Sequence, residues 1–504
     1  MNASLLPAHV DVLIVGAGPV GLTAAVALAG RDVSVALVDE LPAARPESRA
    51  LAIWPRTRDI LAELDVILPE GAPAALPLEG VSYQFGASRA KPLSLRGGPS
   101  ALIMPQPGLE RALSTRATDL DVPIVRGARL LDLMQDSHGV TACISQPETV
   151  DSEIRCHYLI GAAGAGRTVR QLLNIAYFGK TVPAVFYLAD CTLTGVPRSA
   201  VFTNYVTEQG YVAMCPLPDG RHRLFARLEH DNAPGEIDAA KILDRAGLST
   251  ARVAQTHWAS TCEIHERVSE QFRDRRVFLA GDAAHVHSPA GGQGIQTGIG
   301  DVHNLTWKLT AALRGTASNA LLDSYQAERM PVARAVIARS AAQARLWDTS
   351  TPVKRRRNRA AFTALNRLGL LRTKVLPAML GYADTYPAPF GLRTWTKQRL
   401  PHSRATTTHT ETMPLVSGLR FVLRGGWSVE EREEVARLIA EHPLFHPQTE
   451  QIATPTERGC RDIACVRPDG YLLFSLRTVN QLSRRLERIC ALWETPNRHE
   501  IGEV

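Results

Sequence analysis

Along residues 10–40 the hydrophobic pattern changes period twice. Val10–Val15 is an apolar run interrupted once by Asp11, Gly16–Gly21 breaks it, Leu22–Ala29 reads as a helix, and Val33–Val38 is a second apolar run interrupted once by Ser34. Runs of this kind, apolar on both faces, mark strands buried in a parallel sheet, and their order predicts a βαβ unit. Residues 180–260 differ: apolar runs such as Ala184–Leu188 and Tyr211–Met214 are separated by turn residues. There Pro218-Asp219-Gly220 falls between strand candidates, which predicts an antiparallel sheet. From 276 to 345 the pattern returns to a strand, a glycine loop and long helices. Residues 401–414 (PHSRATTTHTETMP) are polar without periodicity and read as a linker. Beyond it, Leu419–Leu423 reads as a strand, and Ser428 with Glu431 forms a capping box ahead of a helix. Ile463–Val466 and Tyr471–Leu476 flank Pro468-Asp469-Gly470 as a hairpin, and Val479–Leu492 closes as a helix.

A chain of 504 residues suits two or three domains and buries a core without disulfide or metal staples. The formal charge of +7 raises the question of an acidic partner. The basic residues, however, are interleaved with 50 acidic ones, and the one dense run, Lys354-Arg355-Arg356-Arg357, lies in a helical stretch as a solvated face. Nucleic acid is therefore not an expected partner. The eight cysteines form no Cys-x-x-Cys pair, so neither a zinc site nor a dithiol centre is expected, and reduced thiols point to the cytoplasm. The apolar stretch Val10–Ala29 is broken by Gly16, Gly18, Pro19 and Gly21, lacks a basic segment before it, and is followed by Arg31 and Asp32. It reads as a buried strand and helix, not as a signal or membrane span.

Gly16-Ala17-Gly18-Pro19-Val20-Gly21 follows a strand and opens a helix. Glycines at this spacing permit the tight turn, the approach of backbone to a pyrophosphate and close helix–strand packing, while the helix N-terminus stabilises phosphate charge. Asp39, 23 residues after the first glycine, ends the second strand where a carboxylate can accept from a ribose hydroxyl. This much fits FAD and NAD equally. A second element lies far downstream: a strand ending in Gly281-Asp282, then Pro289-Ala290-Gly291-Gly292-Gln293-Gly294. A carboxylate followed by a second glycine loop suits the ribityl chain of a flavin, which a nicotinamide dinucleotide lacks.

With both elements in place, the chain resembles the single-component flavoprotein aromatic hydroxylases of the p-hydroxybenzoate hydroxylase fold. Within them it is similar to the phenol, pentachlorophenol, rifampicin and polyketide hydroxylases. Residues 276–309 (RVFLAGDAAHVHSPAGGQGIQTGIGDVHNLTWKL) and 321–333 (LLDSYQAERMPVA) carry the likeness. The resemblance implies an α/β fold: a Rossmann-type FAD-binding domain with an inserted antiparallel-sheet substrate domain and a C-terminal thioredoxin-like α/β domain. The expected boundaries are 1–180 for the first part of the FAD-binding domain, with substrate-domain strands around 75–105. The substrate domain follows at 181–270, the second part of the FAD-binding domain with long helices at 271–400, and the thioredoxin-like domain at 401–504.

The resemblance also implies site residues. Gly16, Ala17, Gly18, Pro19 and Gly21 would hold the FAD pyrophosphate, with Asp39 and Glu40 at the adenosine ribose. Asp282 would bind the ribityl chain, and Pro289, Gly292, Gly294 and Ile295 would form the loop whose backbone amides meet the flavin pyrimidine. Arg49 matches a family arginine beside the flavin, Gln106 a polar residue touching FAD, and Leu130 the place where backbone meets adenine. The family reduces FAD with NADPH or NADH, adds O2, and hydroxylates an electron-rich ring through a flavin C4a-hydroperoxide. The cofactor does the difficult chemistry, so no side-chain nucleophile, catalytic triad or metal is expected. The implied partners are an aromatic small molecule and O2, and a homodimer is among the assemblies the tail allows. Another flavin oxidation or rearrangement, and an FAD-binding protein without turnover, stay open beside hydroxylation.

One family segment is altered. Tyr158–Arg170 aligns with a stretch that usually contains Asp-Gly, and here Ala163 replaces the aspartate and Arg167 a common serine. Gln296 replaces a usual asparagine in the flavin loop. Loss of one carboxylate removes a charge-assisted contact of about 1.5–3 kcal/mol, which bears on nicotinamide binding more than on FAD. His222, His257, His265, His285 and His287 read as structural or solvent-facing. Trp54, Phe202, Tyr205, Tyr211 and Phe225 fit an aromatic pocket and core packing equally well.

Overall fold

The computed structural model describes residues 6–45, 50–69, 71–86, 88–89, 92–95, 100–147, 150–166, 168–196, 199–228, 238–289, 291–346, 351–382, 384–386, 419–424, 427–441 and 462–493. Arg49, Arg167 and the 401–414 linker lie outside them.

The βαβ unit comprises β1 (His9–Val15), α1 (Pro19–Ala29) and β2 (Val35–Asp39). Pro19 opens α1 with its φ already set for a helix, and α1 is buried on almost every side, which explains its uniformly apolar sequence. The second strand starts at Val35 and not at Val33, because Asp32 in a left-handed conformation reverses the chain first. Strand Ser152–Gly161 and β2 flank β1 in parallel, and Ile124–Arg126 and Val277–Leu279 extend the parallel core on either side. Arg129–Gln135 and Val140–Ser145 add an antiparallel edge, and the short strand Arg273–Asp274 pairs antiparallel with Val277–Leu279, giving eight strands among the described residues.

Between these strands come α2 (Pro55–Glu63) and α3 (Gln106–Asp119). The antiparallel region forms a nine-stranded sheet built on the two long strands Tyr177–Thr194 and Arg252–Ser269. Strand Gly80–Phe85 joins it in parallel beside Val201–Thr207. The Pro218-Asp219-Gly220 turn connects Gly210–Pro216 to His222–Leu228.

Two long helices, α4 (Gly294–Leu313) and α5 (Asn319–Leu346), pack behind the parallel sheet. Glycine lets α4 cross α1 closely: a Cβ on Gly298 would sit 2.6 Å from Val20 Cγ2. The basic run at 354–357 lies on helix Pro352–Arg367, with Arg356 and Arg357 exposed.

The C-terminal region has three antiparallel strands, Arg420–Arg424, Asp462–Val466 and Leu472–Leu476. Ser428 and Glu431 form the capping box of helix Val429–Ala440. The last helix is Leu482–Trp493, preceded by a tighter 3₁₀ turn at Val479–Gln481 where a continuous helix was expected. Its apolar cluster is continuous with Trp307 of α4 and Leu321 of α5, so the tail shares a core with the body.

Candidate active site

The three glycines after β1 have separate physical jobs. Gly16 has φ +114°, and a Cβ there would lie 2.5 Å from the Ala162 carbonyl group. A Cβ on Gly21 would lie 1.8 Å from the Gly16 carbonyl oxygen, so α1 can approach β1 only without one. Gly18 is extended at φ −80°, ψ −177°, and a Cβ there would meet nothing within 4 Å. It caps α1 without a side-chain bond, leaving first-turn amides available to an anion beside Ala17 and Pro19. This is a cradle that fits a pyrophosphate.

The Asp39 carboxylate is already engaged: it accepts from Ala17 N at 2.6 Å and Leu41 N at 2.8 Å. A carboxylate has about four lone-pair sites, so a ribose hydroxyl remains within its capacity. Glu40 is exposed beside it. Leu130 is buried on the antiparallel edge, at a register shift between Leu130 and Asp132 that disturbs the backbone ladder. Gln106, at the start of α3, donates to Glu110 at 2.8 Å, and burial raises the Glu110 carboxyl.

The Gly281-Asp282 turn is held by a buried ionic cluster that the sequence did not disclose. Asp301 of α4 accepts from Gly281 N at 3.0 Å and from Arg329 Nε of α5 at 2.8 Å, and pairs with His285 Nε2 at 2.7 Å. Arg329 Nη2 also donates to the Thr297 carbonyl at 3.0 Å. Burial pushes the Asp301 carboxyl up, but the His285 imidazole and Arg329 guanidinium outweigh it and hold it below its ordinary value. Asp282 is exposed and lines the neighbouring cavity, with its buried neighbours Gly281 and Ala283 on either side in the turn. Burial, opposed by His285 and assisted by the Asp301 charge, raises its carboxyl. The available signal was an aspartate among the buried positions of an apolar helix.

A cavity of about 350 Å³ lies between this turn and one face of the nine-stranded sheet. Strand alternation selects its lining: Phe202 and Asn204, Tyr211, Ala213 and Cys215, and Arg223 and Phe225 face it. Tyr205, Val212 and Leu224 pack on the opposite face. Four of the five candidate aromatics, Trp54, Phe202, Tyr211 and Phe225, therefore line the cavity, and Tyr205 does not. Asp282, Pro289, Gly292, Gly294 and Ile295 line it from the other side, and Trp54 Nε1 donates to the Gly292 carbonyl at 3.0 Å. A Cβ on Gly294 would meet nothing within 4 Å, so the start of α4 presents open backbone there.

The polar lining is mostly committed. Arg223 forms a fork with Asp190 at 2.6 and 2.7 Å and lies 5.0 Å over the Trp258 ring. The Tyr211 hydroxyl donates to Asn204 Oδ1 at 2.6 Å, and burial keeps it protonated. His287 lies 2.9 Å through Nδ1 from the Ser288 carbonyl, and burial lowers its pKa to about 4, so the ring is neutral. His265 and His257 bond to Thr181 and Thr192.

A second cleft, of about 290 Å³, shares Ala165, His265 and Val286 with the cavity and opens between Arg170, Tyr177 and Arg267. Arg170 lies 4.0 Å over the Tyr177 ring and donates to the Ala283 carbonyl at 2.8 Å. The Tyr177 hydroxyl donates to the Asp282 carbonyl at 3.0 Å. Ala163 is exposed and lies against Gly16, where a Cβ would come 2.6 Å from Ala163 N.

Among the described residues no group of three or more His, Cys, Asp or Glu could hold a metal, and no helix is long and apolar enough to cross a membrane. Residues 9–340 match the family model described as an FAD binding domain. The chain is 32% identical over 345 residues to the uncharacterized aromatic compound monooxygenase YhjG of Bacillus subtilis, covering 67% of this chain and 69% of that protein. It is 35% identical over 351 residues to the rifampicin monooxygenase of Streptomyces venezuelae, covering 67% and 72%. Among solved structures, the OxyS anhydrotetracycline hydroxylase from Streptomyces rimosus superposes with a TM-score of 0.77 at 28% identity, over 97% of this chain and 99% of that one.

Proposed function

The chain belongs to the FAD-binding-domain family of flavin-dependent aromatic monooxygenases, and from that premise we propose that it hydroxylates a polycyclic phenolic substrate with NADPH or NADH as reductant. The observation that carries the reading is the convergence of two surfaces on one cavity: the Asp282 and Gly292–Ile295 side, and the aromatic sheet face. FAD, when bound, supplies the redox chemistry and the activation of O2. The protein's part is to hold and enclose. Gly16–Gly21 and the start of α1 would bind the pyrophosphate, Asp39 the adenosine ribose, Asp282 the ribityl chain, and the amides at Gly294 and Ile295 the flavin ring. Trp54, Phe202, Tyr211 and Phe225 offer flat apolar walls to an extended ring system and exclude water from it. Relatives named for rifampicin and anhydrotetracycline favour a substrate of several fused rings over a simple phenol.

The Arg170–Arg267 cleft supports the nicotinamide part of the reading. It offers two guanidinium groups and the Tyr177 ring next to Asp282, a combination suited to a pyrophosphate and a flat heterocycle. The cytoplasm is the proposed compartment, supported by the absence of disulfides among the described cysteines.

The test is NAD(P)H consumption by FAD-loaded protein across simple phenols, naphthoquinones and tetracyclic aromatics, with product masses. Stimulation by a fused-ring compound, with product heavier by one oxygen, is expected. Stimulation by simple phenols alone would refute the polycyclic assignment, and turnover without oxygen insertion would refute hydroxylation.

A further inference from the structure

The hairpin turn of the C-terminal sheet buries more charge than its own fold requires. Arg467 and Asp469 are each 1% exposed and bonded to one another at 3.0 and 2.7 Å. Both also reach out of their domain. Arg467 donates through two nitrogens to Glu328 of α5, at 2.6 and 2.8 Å. Asn304 of α4 donates to Asp469 Oδ2 at 3.0 Å, and Arg56 of α2 donates to the Asp469 carbonyl at 2.9 Å. The turn leaves no spare room, since a Cβ on Gly470 would lie 3.1 Å from Arg56 Nη2.

The body meets this turn with ion pairs of its own, Lys308–Glu328 at 2.8 Å and Arg56–Glu63 at 3.0 Å. Charges of both signs therefore stand on each side of the contact, and net attraction alone does not explain the docking. Buried ion pairs add little stability over apolar replacements, but their bonds are directional and fix one arrangement. All three helices so engaged carry the site. Arg56 is two residues past Trp54, which bonds to Gly292. Asn304 stands on the helix that begins at Gly294. Glu328 adjoins Arg329, which holds Asp301 and through it the Gly281-Asp282 turn.

We infer that the C-terminal domain is a positioning element for the monooxygenase site, its Arg467–Gly470 turn keying α2, α4 and α5 so that Trp54, the Gly292–Ile295 loop and Asp282 keep one geometry around the flavin. The inference rests on the flavin reading of that loop. Its test uses the full chain with Asp469→Asn and Arg467→Met. Val435→Ala, in the tail's own core, is the control that weakens the domain without touching the turn. The readouts are the FAD dissociation constant, the visible spectrum of bound flavin and its reduction potential, taken where each variant is fully folded.

The turn variants should weaken FAD at least tenfold or shift the spectrum and potential, while Val435→Ala lowers only the melting temperature. If Arg467→Met does not fold, the near-isosteric Asp469→Asn carries the test. Turn variants with wild-type affinity, spectrum and potential would overturn the inference. So would a Val435→Ala control that moves these readouts as far. Failure of the wild type to bind FAD is a different result, and would overturn the flavin reading itself.

Discussion

The glycines at 18 and 21 share one fingerprint, yet substitution should separate them cleanly. At Gly18 the backbone is extended, open to any residue, and a Cβ would meet no atom within 4 Å. Gly18→Ala and Gly18→Val should therefore leave the apoprotein's fold nearly unchanged. Their cost falls on the ligand. A side chain there keeps the first-turn amides from the pyrophosphate, and each charge-assisted hydrogen bond is worth about 1.5–3 kcal/mol. One lost bond corresponds to roughly a 10- to 150-fold rise in the FAD dissociation constant, with valine worse than alanine.

At Gly21 the order reverses. A Cβ 1.8 Å from the Gly16 carbonyl oxygen requires α1 and β1 to part by roughly 1.5 Å or more before contact becomes normal. Overpacking of this kind costs at least about 1–3 kcal/mol, or about 1–3 °C in melting temperature for a cooperative unit of this length. The assay is paired: thermal denaturation of FAD-stripped protein, and FAD titration by fluorescence quenching. Gly18→Val should lose affinity at constant apoprotein stability, and Gly21→Ala should lose apoprotein stability first. A Gly18→Val protein that binds FAD within twofold of wild type would refute the placing of the pyrophosphate at this turn.

Three further outcomes follow from the buried charges and the altered segment. Asp301→Asn leaves the Arg329 guanidinium without its buried counter-charge and should cost about 3–5 kcal/mol; unchanged melting temperature and flavin-to-protein absorbance ratio would contradict the role given to Asp301. Glu328 is depressed from 4.5 to about 2 because Arg467 and Lys308 outweigh its burial. A depressed carboxylate stabilises the fold fully above its unfolded value, so about 3 kcal/mol should be lost as the pH falls from about 4.5 towards 2. Glu328→Gln should be the less stable protein at pH 7, and the two stability curves should converge in acid; parallel curves would sink this assignment. Ala163 is exposed, so Ala163→Asp should fold normally and be reduced by NAD(P)H as fast as wild type or faster in anaerobic stopped flow; a folded, FAD-loaded variant that resists reduction would show that the alanine is required.

What could be read from sequence was what local sterics decide. The packing of Gly21 on the Gly16 carbonyl, the capping box at Ser428 and the Pro218-Asp219-Gly220 hairpin each depend on residues a few positions apart. The cavity face was not legible for an identifiable reason. Both faces of the sheet are apolar, with Tyr205, Val212 and Leu224 on one side and Phe202, Tyr211 and Phe225 on the other. Alternation then says which residues go together, but not which set meets the flavin loop. Pro468-Asp469-Gly470 was read correctly as a turn, and nothing near it in the chain announces Glu328, 139 residues before Arg467. Asp39 was expected to face a ribose; what its bonds to the Ala17 and Leu41 amides do is stiffen the glycine turn.

The placement of buried charge fits the division of labour between cofactor and protein. Asp301, Arg329, Arg56, Glu63, Lys308, Glu328, Arg467 and Asp469 are bonded in the interior, and none of them lines the cavity. Of the three charged residues that do line it, Arg223 is tied to Asp190, Asp282 is the carboxylate proposed for the ribityl chain, and Glu263 comes from the long strand Arg252–Ser269. An enzyme whose own side chains attacked the substrate would need a nucleophile with a base in hydrogen-bond reach at the cavity wall, whereas the shifted groups there, Asp282, Tyr211 and His287, owe their shifts chiefly to burial. One that lends its chemistry to a bound cofactor needs a rigid frame in place before the substrate arrives, because any motion at that stage adds to the barrier. Directional ion pairs one layer behind the wall supply that rigidity and leave the wall mostly apolar. By the same reasoning, substitutions in the hidden layer should disturb the flavin more than substitutions of most cavity-lining side chains, with binding of the aromatic substrate following the opposite order.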